Sequence, residues 1–353
     1  MQPETSFTES FCCPLPVTGH KNILLAHGGG GKLTQQLLEK LIYPSFKNDY
    51  LEQRHDGAVI QINGSKIAFT TDSYVVSPIF FPGGDIGKLA VFGTVNDLAM
   101  CGAKPRWLSI AVIIEEGLPM EILIKVVESI KNAAKIADVQ IVTGDTKVVD
   151  KGKGDGLFIN TAGIGIIETP LNINPLSIQP GDKIIINGDI GRHGMAIMSV
   201  REGLEFESEI ISDCANLNHI ITNLLENGVE IHCLRDLTRG GLASALNEIA
   251  SVRKIRLDIT ESAVPVTDEV KGACEILGLD PFYVANEGRF VAFVPEKDAQ
   301  KTLEIIQKNQ NSTSAAIIGE VKNSDQPLVT RLSSIGTVRI LDMLSGEQLP
   351  RIC

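Results

Sequence analysis

The chain has 353 residues, 43% of them hydrophobic, and a formal net charge of −11. This length and apolar content allow two domains with cores of their own, while the negative charge argues against a nucleic-acid-binding surface or a patch for anionic membranes. The seven cysteines show no metal-binding spacing, and no segment approaches the roughly 20 apolar residues of a membrane span. We therefore expect a cytoplasmic protein without disulfides, a nucleic-acid partner or a membrane anchor.

Strand-like and helix-like stretches alternate through the first half of the chain. Residues 1–21 are polar and aperiodic, which predicts a disordered extension. Residues 22–170 are predicted to form an N-terminal α/β domain. Within it, Asn63 and Gly64 form the turn of a predicted hairpin, and DIGKLAVFGTVNDLAMCGA and MEILIKVVESIKNAAKIAD predict helices. The proline-bearing loop TPLNINPLSIQPGD marks the domain boundary.

The second half, residues 171–336, predicts a C-terminal α/β domain. KIIING, RFVAFVP and SAAIIGEV indicate strands, whereas HGMAIMSVREG and GGLASALNEIA indicate helices. We expect residues 337–353 to contribute a last strand, in GTVRILD, and a mobile tail that ends in Cys353. The predicted fold class is α/β of the mixed α+β type, in two domains.

A run of four glycines, Gly28, Gly29, Gly30 and Gly31, precedes Lys32 and a predicted helix. It is not a Walker loop, because Ala26 and Leu33 stand where that pattern requires glycine and serine or threonine. Bare N–H groups at a helix start still suit an anion. The alternative is a flexible loop without a binding role.

Four aspartates lie at ends of predicted strands or in glycine-rich turns: Asp72, Asp97, Asp145 and Asp236. Hard oxygen ligands at such positions suit magnesium that shares its ligands with nucleotide phosphates. Each aspartate could instead be a helix cap or a turn residue. Taken with the glycine run, they favour an ATP–magnesium site assembled from distant parts of the sequence.

Several segments, in this order, resemble the motifs of the AIR-synthetase-like ATP-binding superfamily: GGGGK, TTDSYVVSPIFFPGGDIGKLAVFGTVNDLAMCGAKP, TGDTKVV, RDLTRGGLA and NEGR. The resemblance covers most of residues 22–340. The C-terminal sequence PRIC resembles the tails of one family within the superfamily, the HypE carbamoyl dehydratases of nickel–iron hydrogenase maturation. The resemblance implies an N-terminal sheet that closes into a barrel across a homodimer, a C-terminal α/β domain and a flexible tail.

The same resemblance implies where ATP and Mg²⁺ bind. Asp72, Asp97 and Asp236 would hold magnesium, and Asp145 would lie at the same phosphates and count among the metal ligands. The residues implied in nucleotide contact are Asn96, Thr146 and the loop from Gly28 to Lys32.

Cys353 would receive a carbamoyl group from the carbamoyltransferase HypF. After ATP-dependent dehydration to a thiocyanate, the cyanide would pass to iron on a HypC–HypD complex. Seven residues after Gly346 reach at most about 25 Å, which lets the thiol move between a partner and the nucleotide.

The sequence contains candidate residues for each requirement of such a dehydration. The carbamoyl oxygen leaves only after it has been phosphorylated, so ATP with magnesium and a base for the amide protons are required. Lys147 and Glu287 match polar positions of the family motifs and are predicted to be catalytic. Lys147 could instead only neutralise phosphate, and Glu287 could only occupy a turn.

Two other functions stay open at this point. The chain could be a small-molecule ATP-dependent phosphotransferase or synthetase of the same superfamily, for which the tail thiol would be irrelevant. It could also be a non-enzymatic scaffold that uses a nucleotide as a switch.

Overall fold

Two β-sheets organise the protein, one from each half of the chain. The computed structural model describes residue 20 and residues 22–203 and 209–345. The rest of the predicted extension, residues 1–19 and 21, therefore lies outside the described residues. So do residues 346–353, which include Cys353.

A five-stranded sheet forms the first half. The strands of this half are β1 (Ala58–Ile62), β2 (Ser65–Tyr74), β3 (Phe80–Phe81), β4 (Gly84–Asp85), β5 (Lys104–Glu115), β6 (Gln140–Val149) and β7 (Leu157–Ile167). The sheet has the order β1-β2-β7-β5-β6, and β3 and β4 pair as a separate ribbon. The predicted hairpin is confirmed, since Asn63 and Gly64 turn between β1 and β2 with φ of 48° and 86°.

The helices of the first half include the glycine-loop helix and two longer ones. They are α1 (Lys32–Leu37), α2 (Tyr43–Ser45), α3 (Ile86–Met100) and α4 (Met120–Ala137). A π-helical turn, Leu38–Ile42, joins α1 to α2. Short 3₁₀ turns occur at Leu25–His27 and Leu51–Gln53.

A seven-stranded sheet forms the second half. Its strands are β8 (Lys183–Ile186), β9 (Cys233–Asp236), β10 (Arg256–Thr260), β11 (Phe290–Val294), β12 (Ala316–Lys322), β13 (Leu328–Leu332) and β14 (Val338–Ile340). They follow the order β14-β13-β10-β12-β8-β11-β9. The helices are α5 (Arg192–Glu202), α6 (Asn218–Glu226), α7 (Gly241–Arg253), α8 (Asp268–Leu277) and α9 (Glu296–Gln307). Single 3₁₀ turns lie at Pro175–Ser177, Glu261–Ala263, Pro281–Tyr283 and Gln310–Ser312.

Helix α3 packs against both halves of the protein and is therefore buried on nearly all sides. Its start is capped by Asp85, whose Oδ1 accepts hydrogen bonds from the backbone N–H groups of Gly87 and Lys88 at 2.8 and 3.1 Å. One side of α3 packs on β2 and β7 of the first sheet, and another meets β9 and α6 of the second half. A helix whose residues are buried on nearly all sides packs between two layers. Side chains near its C-terminal end can therefore face residues of both halves.

Strand β6 is an open edge of the first sheet. It pairs on one side with β5, and its residues from Gln140 to Val148 are all exposed. Exposed edges of this length usually have a partner or a protective device. Whether this sheet closes into a barrel with a second copy stays a prediction.

No helix in the described ranges combines the length and the apolar character needed to span a bilayer.

Phe293, on β11, tests the core of the second half. Its side chain is fully buried among apolar residues such as Ile184 and Leu246, so replacement by alanine leaves a cavity. We expect Phe293→Ala to lower the free energy of unfolding by roughly 3–5 kcal/mol. Urea denaturation followed by circular dichroism measures the change.

The matched control is Ile335→Ala, since Ile335 is 79% exposed. It should change the free energy of unfolding by less than about 0.5 kcal/mol. Equal effects of the two substitutions would contradict the assignment of Phe293 to the core.

Candidate functional site

A cavity of about 470 Å³ lies where α3 meets β9, a volume typical of small-molecule sites. Its walls come from the glycine loop, β2, α3, the end of β9 and the start of α7. The charged side chains that line it are Asp56, Asp72, Asp97, Arg235, Asp236, Arg239, Glu248 and Glu287. Residues far apart in the sequence thus meet at one acidic cleft.

Strand β2 presents a row of polar side chains to α3. Thr70, Asp72 and Tyr74 alternate along the strand and therefore lie on the same face of the sheet. The Thr70 hydroxyl donates to Asp97 Oδ2 on α3 at 2.8 Å. The Tyr74 hydroxyl donates to Asp72 Oδ2 at 3.1 Å. Strand and helix together therefore orient two of the predicted aspartates.

Three carboxylates form a group that could hold a cation. Asp56, Asp97 and Asp236 each offer one oxygen, and these oxygens lie within 4.8 Å of one another. Arg235 Nη1 pairs with Asp56 Oδ1 at 3.0 Å, whereas the buried Asp56 Oδ2 has no hydrogen-bond partner. Hard oxygen atoms of this kind suit Mg²⁺, and an orphaned buried oxygen is what a bound cation would satisfy. The residues present therefore fit a magnesium ion.

Asp56 is a candidate metal ligand that was not predicted from the sequence. It stands in HDGAVI, immediately before the predicted hairpin, where an Asp-Gly pair is typical of an ordinary turn. The signal that could have identified it is its position next to a predicted strand. Some of the four predicted aspartates also lie at ends of predicted strands. Only the packing of α3 and β9 shows that it joins Asp97 and Asp236.

Burial controls the protonation of this cleft. It raises the pKa of Asp236 to about 6 and raises the pKa values of Asp56, Asp97 and Glu287 well above the usual range. Neighbouring carboxylates add to the effect of burial at each of these groups. Burial also lowers the pKa of His55, beside Asp56, to about 3, so this imidazole supplies no positive charge at neutral pH. A divalent cation would supply the charge that the cleft lacks.

The glycine loop contributes two of its residues to the cavity, Gly28 and Gly30. Gly30 has φ of +76°, and a Cβ there would lie 2.6 Å from the Arg239 carbonyl oxygen. Ser244 Oγ of α7 donates to the Gly30 carbonyl at 2.8 Å. Glycine is thus needed for contact between this loop and the turn before α7. Gly29 is exposed.

Gly31 and Lys32 contact the end of the described chain. The Lys32 N–H donates to the Leu344 carbonyl at 2.9 Å, and Lys32 Nζ pairs with Asp342 Oδ2 at 2.6 Å. A Cβ on Gly31 would lie 2.8 Å from the same Leu344 oxygen. The predicted nucleotide contact of Lys32 stays a prediction, while its ammonium group forms an ion pair with the segment that leads to the tail.

Asn96 makes hydrogen bonds to the backbone of the second half. Its Nδ2 donates to the carbonyl oxygens of Ala215 at 3.0 Å and Glu287 at 3.4 Å, and its Oδ1 accepts from the Leu217 N–H at 2.9 Å. The side chain is buried, with 2% exposure. These contacts support a role in positioning Glu287 beside α3, and the predicted nucleotide contact is untested.

Asp145, Thr146 and Lys147 lie outside the cavity of their own chain. They belong to the exposed edge strand β6. In the register of the sheet, Asp72 faces Thr161, Thr161 faces Ile110, and Ile110 faces Gly144. Three strand spacings of about 4.8 Å put roughly 14 Å between the backbone of Asp72 and this part of β6. Glu287, in contrast, lines the cavity and is only 4% exposed.

Comparison with known sequences identifies the class of protein. The profile described as "AIR synthase related protein, N-terminal domain" matches residues 54–167, and the corresponding C-terminal domain matches residues 179–330. These two matches cover the first sheet, most of the second sheet and the cleft residues from Asp56 to Glu287, while the glycine loop and β14 lie outside them. The chain is thus an AIR synthase related protein with both domains of that class.

Closer relatives define the family within this class. Carbamoyl dehydratase HypE of Azotobacter vinelandii is 46% identical over 332 residues, which are 94% of this chain and 97% of that protein. A crystal structure of a HypE–HypF complex matches at a TM-score of 0.83 with 48% identity, over 87% of this chain and 99% of that one. A crystal structure of HypE with ATP matches at 0.80 with 46% identity, over 94% and 100%. The chain belongs to the HypE family of carbamoyl dehydratases, which confirms the predicted family and two-domain fold.

The raised pKa of Asp236 makes the stability of the cation-free protein depend on pH. A carboxyl whose pKa is about 6 when folded and near 3.8 when unfolded binds protons more tightly in the folded state. The contribution of Asp236 to stability is therefore fully present below about pH 4 and is lost as the pH rises through about 6. We expect Asp236→Asn to flatten this decrease by up to roughly 3 kcal/mol. Urea denaturation in EDTA between about pH 4 and pH 7 measures the slope.

Asp49→Asn is the control, because Asp49 is exposed and is not among the residues that line the cavity. Its pH profile should follow that of the wild type. A wild-type slope in Asp236→Asn would contradict the assigned effect of burial.

Proposed function

We propose that this chain uses ATP to dehydrate an S-carbamoyl group on its own Cys353 to a thiocyanate. The product supplies the cyanide ligand of the iron centre of a nickel–iron hydrogenase. The observation that carries the proposal is the contact between the glycine loop and residues Asp342–Leu344. This contact places the root of the Cys353 tail beside the acidic cleft. Membership of the HypE family favours this function over a small-molecule phosphotransferase.

The cleft residues would hold the magnesium and the nucleotide. Asp56, Asp97 and Asp236 would ligate Mg²⁺, and Asp72 would provide a further oxygen from the same wall. When bound, Mg²⁺ neutralises the charge of the transferring phosphoryl group. Gly241, at the N-terminus of α7, lines the cavity, so the positive end of the dipole of this helix would lie near a bound phosphate.

The reaction requires two chemical changes in the S-carbamoyl group. The carbonyl oxygen takes the terminal phosphoryl group of ATP, and the nitrogen loses one proton, which leaves an imidate ester and ADP. The nitrogen then loses its second proton while the C–O bond breaks, giving S–C≡N and phosphate. Glu287 is the proposed proton acceptor, because it lines the cavity and burial raises its pKa, which makes its carboxylate a stronger base than an exposed one.

The tail is long enough to carry the thiol into the cleft. Nine residues follow Leu344, and nine extended residues reach at most about 30 Å. The root of the tail is tied to the glycine loop through Lys32. The thiol can therefore meet a partner outside and the nucleotide inside without release of that root.

A second copy of the chain would complete the site. The Asp145–Lys147 segment lies on the exposed edge β6, and Ile141, Val142 and Val148 on that strand are exposed apolar residues. Pairing of the first sheets across a homodimer would bury this edge. We propose that it also brings Lys147, Thr146 and Asp145 to the partner's cleft, where they contact the nucleotide and its metal.

The partners follow from the reaction. HypF would load the carbamoyl group, and the crystallised complex of the related HypE with HypF supports this assignment. An iron-bearing HypC–HypD complex would accept the cyanide. These exchanges would take place in the cytoplasm, where cysteine remains a free thiol.

Replacement of the terminal thiol separates the proposed function from its alternative. We expect Cys353→Ala to bind ATP as the wild type does and to form no thiocyanate, because the carrier atom is absent. Mass spectrometry of the C-terminal peptide after incubation with the carbamoyltransferase and its substrates is the measurement. The wild-type peptide should gain a carbamoyl group and lose water only when ATP is present.

Cys12→Ala and Cys13→Ala are thiol controls that should behave as the wild type. Cyanide-ligand formation by Cys353→Ala would overturn the proposal. Full phosphotransferase activity after deletion of the last four residues would favour a small-molecule enzyme instead.

A mixture of two inactive variants tests the shared site. Lys147→Ala and Glu287→Gln should each abolish dehydration, because each removes a group from every cleft. If Lys147 acts in the partner's cleft, mixed dimers contain one intact site in two. After equal mixing and subunit exchange, about a quarter of all sites should then be active.

Single-turnover thiocyanate yield measures the recovery. A mixture that stays inactive after exchange, verified by native mass spectrometry, would place Lys147 and Glu287 in the same chain's site. Mixing Lys147→Ala with Lys147→Met provides the control without recovery.

A further inference from the structure

The hydroxyl group of Tyr74 lies among the cleft carboxylates. Tyr74 ends β2, lines the cavity and is 6% exposed. Its hydroxyl donates to Asp72 Oδ2 at 3.1 Å and lies 3.5 Å from Thr94 Oγ1 on α3. The proposed reaction assigns no part to this hydroxyl, although it touches one of the proposed magnesium ligands.

The fold makes space for this hydroxyl. A Cβ on Gly93 of α3 would lie 2.1 Å from the Tyr74 oxygen and 3.0 Å from the ring carbon that carries it. The glycine is otherwise unfavourable in the middle of a helix, by roughly 0.5–1 kcal/mol relative to alanine. A phenylalanine ring without the hydroxyl would not require so close an approach. The position of Gly93 therefore accommodates the hydroxyl itself.

A chain of hydroxyl groups continues from Tyr74 into the sheet. Thr94 Oγ1 forms a short hydrogen bond with Thr161 Oγ1 of β7. Thr161 is the residue directly opposite Asp72 in the β2–β7 register. Asp72 is thus bounded by Tyr74 along its own strand and by Thr161 across the sheet, with Thr94 of α3 between these two hydroxyls.

Asp72 needs an orienting contact more than the other aspartates do. It lies outside the group of three carboxylates whose oxygens come within 4.8 Å of one another. A carboxylate turns readily about its last side-chain bond, since that torsion is broad. A hydrogen bond to one oxygen fixes this rotation and leaves the other oxygen for a cation. Such supporting contacts typically change metal affinity by about 10–100-fold.

We propose that Tyr74 is a positioning residue that orients the Asp72 carboxylate for the divalent cation. The inference rests on the proposed function, which makes Asp72 a magnesium ligand. It predicts a defined contribution of one oxygen atom to cation binding. Tyr74→Phe removes that atom and keeps the ring.

The test is direct titration of the purified full chain with Mn²⁺, with free Mn²⁺ followed by electron paramagnetic resonance. We expect Tyr74→Phe to weaken Mn²⁺ binding by about tenfold. Tyr50→Phe is the matched control, since Tyr50 is exposed and outside the cavity, and it should bind as the wild type does. Thermal unfolding of each variant confirms that the protein is folded under the titration conditions.

A double-mutant cycle separates orientation of Asp72 from general packing. Tyr74→Phe should have no further effect on Mn²⁺ binding in an Asp72→Asn background, because the oriented group is already lost. Gly93→Ala should weaken Mn²⁺ binding as Tyr74→Phe does. The added methyl group would push the Tyr74 hydroxyl out of position without removing it.

Unchanged Mn²⁺ binding in Tyr74→Phe would overturn the inference, as would an equal loss with and without Asp72. Absence of Mn²⁺ binding in the wild-type chain would instead reject the metal site of the proposed function.

Discussion

The main physical constraint on this structure is the electrostatic repulsion between carboxylates that the fold holds close together and largely shields from water. Asp56, Asp97 and Asp236 come from a loop, a helix and a strand, and they meet because α3 lies between the two halves of the protein. Ionised carboxylates at this separation are unfavourable unless protons or a cation neutralise them. The cleft therefore favours the binding of a cation, such as the magnesium of the proposed nucleotide complex. The large buried core in each half stabilises the fold against this repulsion.

Neutral hydrogen bonds hold the charged groups in place. Thr70 donates to Asp97, and Asn96 links α3 to the carbonyl of Glu287 across the domain boundary. Asp213 accepts the Gly288 N–H at 3.1 Å and so fixes the backbone beside Glu287 from the other side. Rigid support of this kind lowers the reorganisation needed when charge develops in a reaction. Helix α3 thus serves both as the core of the molecule and as one wall of its site.

The secondary-structure elements and most of the acidic residues of the cavity could be predicted from the sequence, because both have local signals. The hairpin at Asn63-Gly64, the apolar strands and the aspartates at strand ends are readable within a few residues. Other features depend on contacts between distant segments. The order of strands in the first sheet removes Asp145 from its own cleft, and the bonds of Asn96 join residues more than a hundred positions away. Asp56 was missed because an Asp-Gly pair before a hairpin has the local pattern of a turn.

The ion pair between Lys32 and Asp342 connects the glycine loop at the cavity with the segment that leads to the tail. The glycine loop touches the cavity at Gly28 and Gly30, and its next residues hold the segment that leads to the tail. If Asp342–Leu344 has one arrangement for each arrangement of the loop, a ligand whose affinity differs between the two loop arrangements also shifts the balance of this segment. Reciprocally, a partner that bound one arrangement of this segment better would change the affinity of the loop for the proposed nucleotide. Order in the catalytic cycle can thus arise from thermodynamic coupling through one short segment, without a separate regulatory domain.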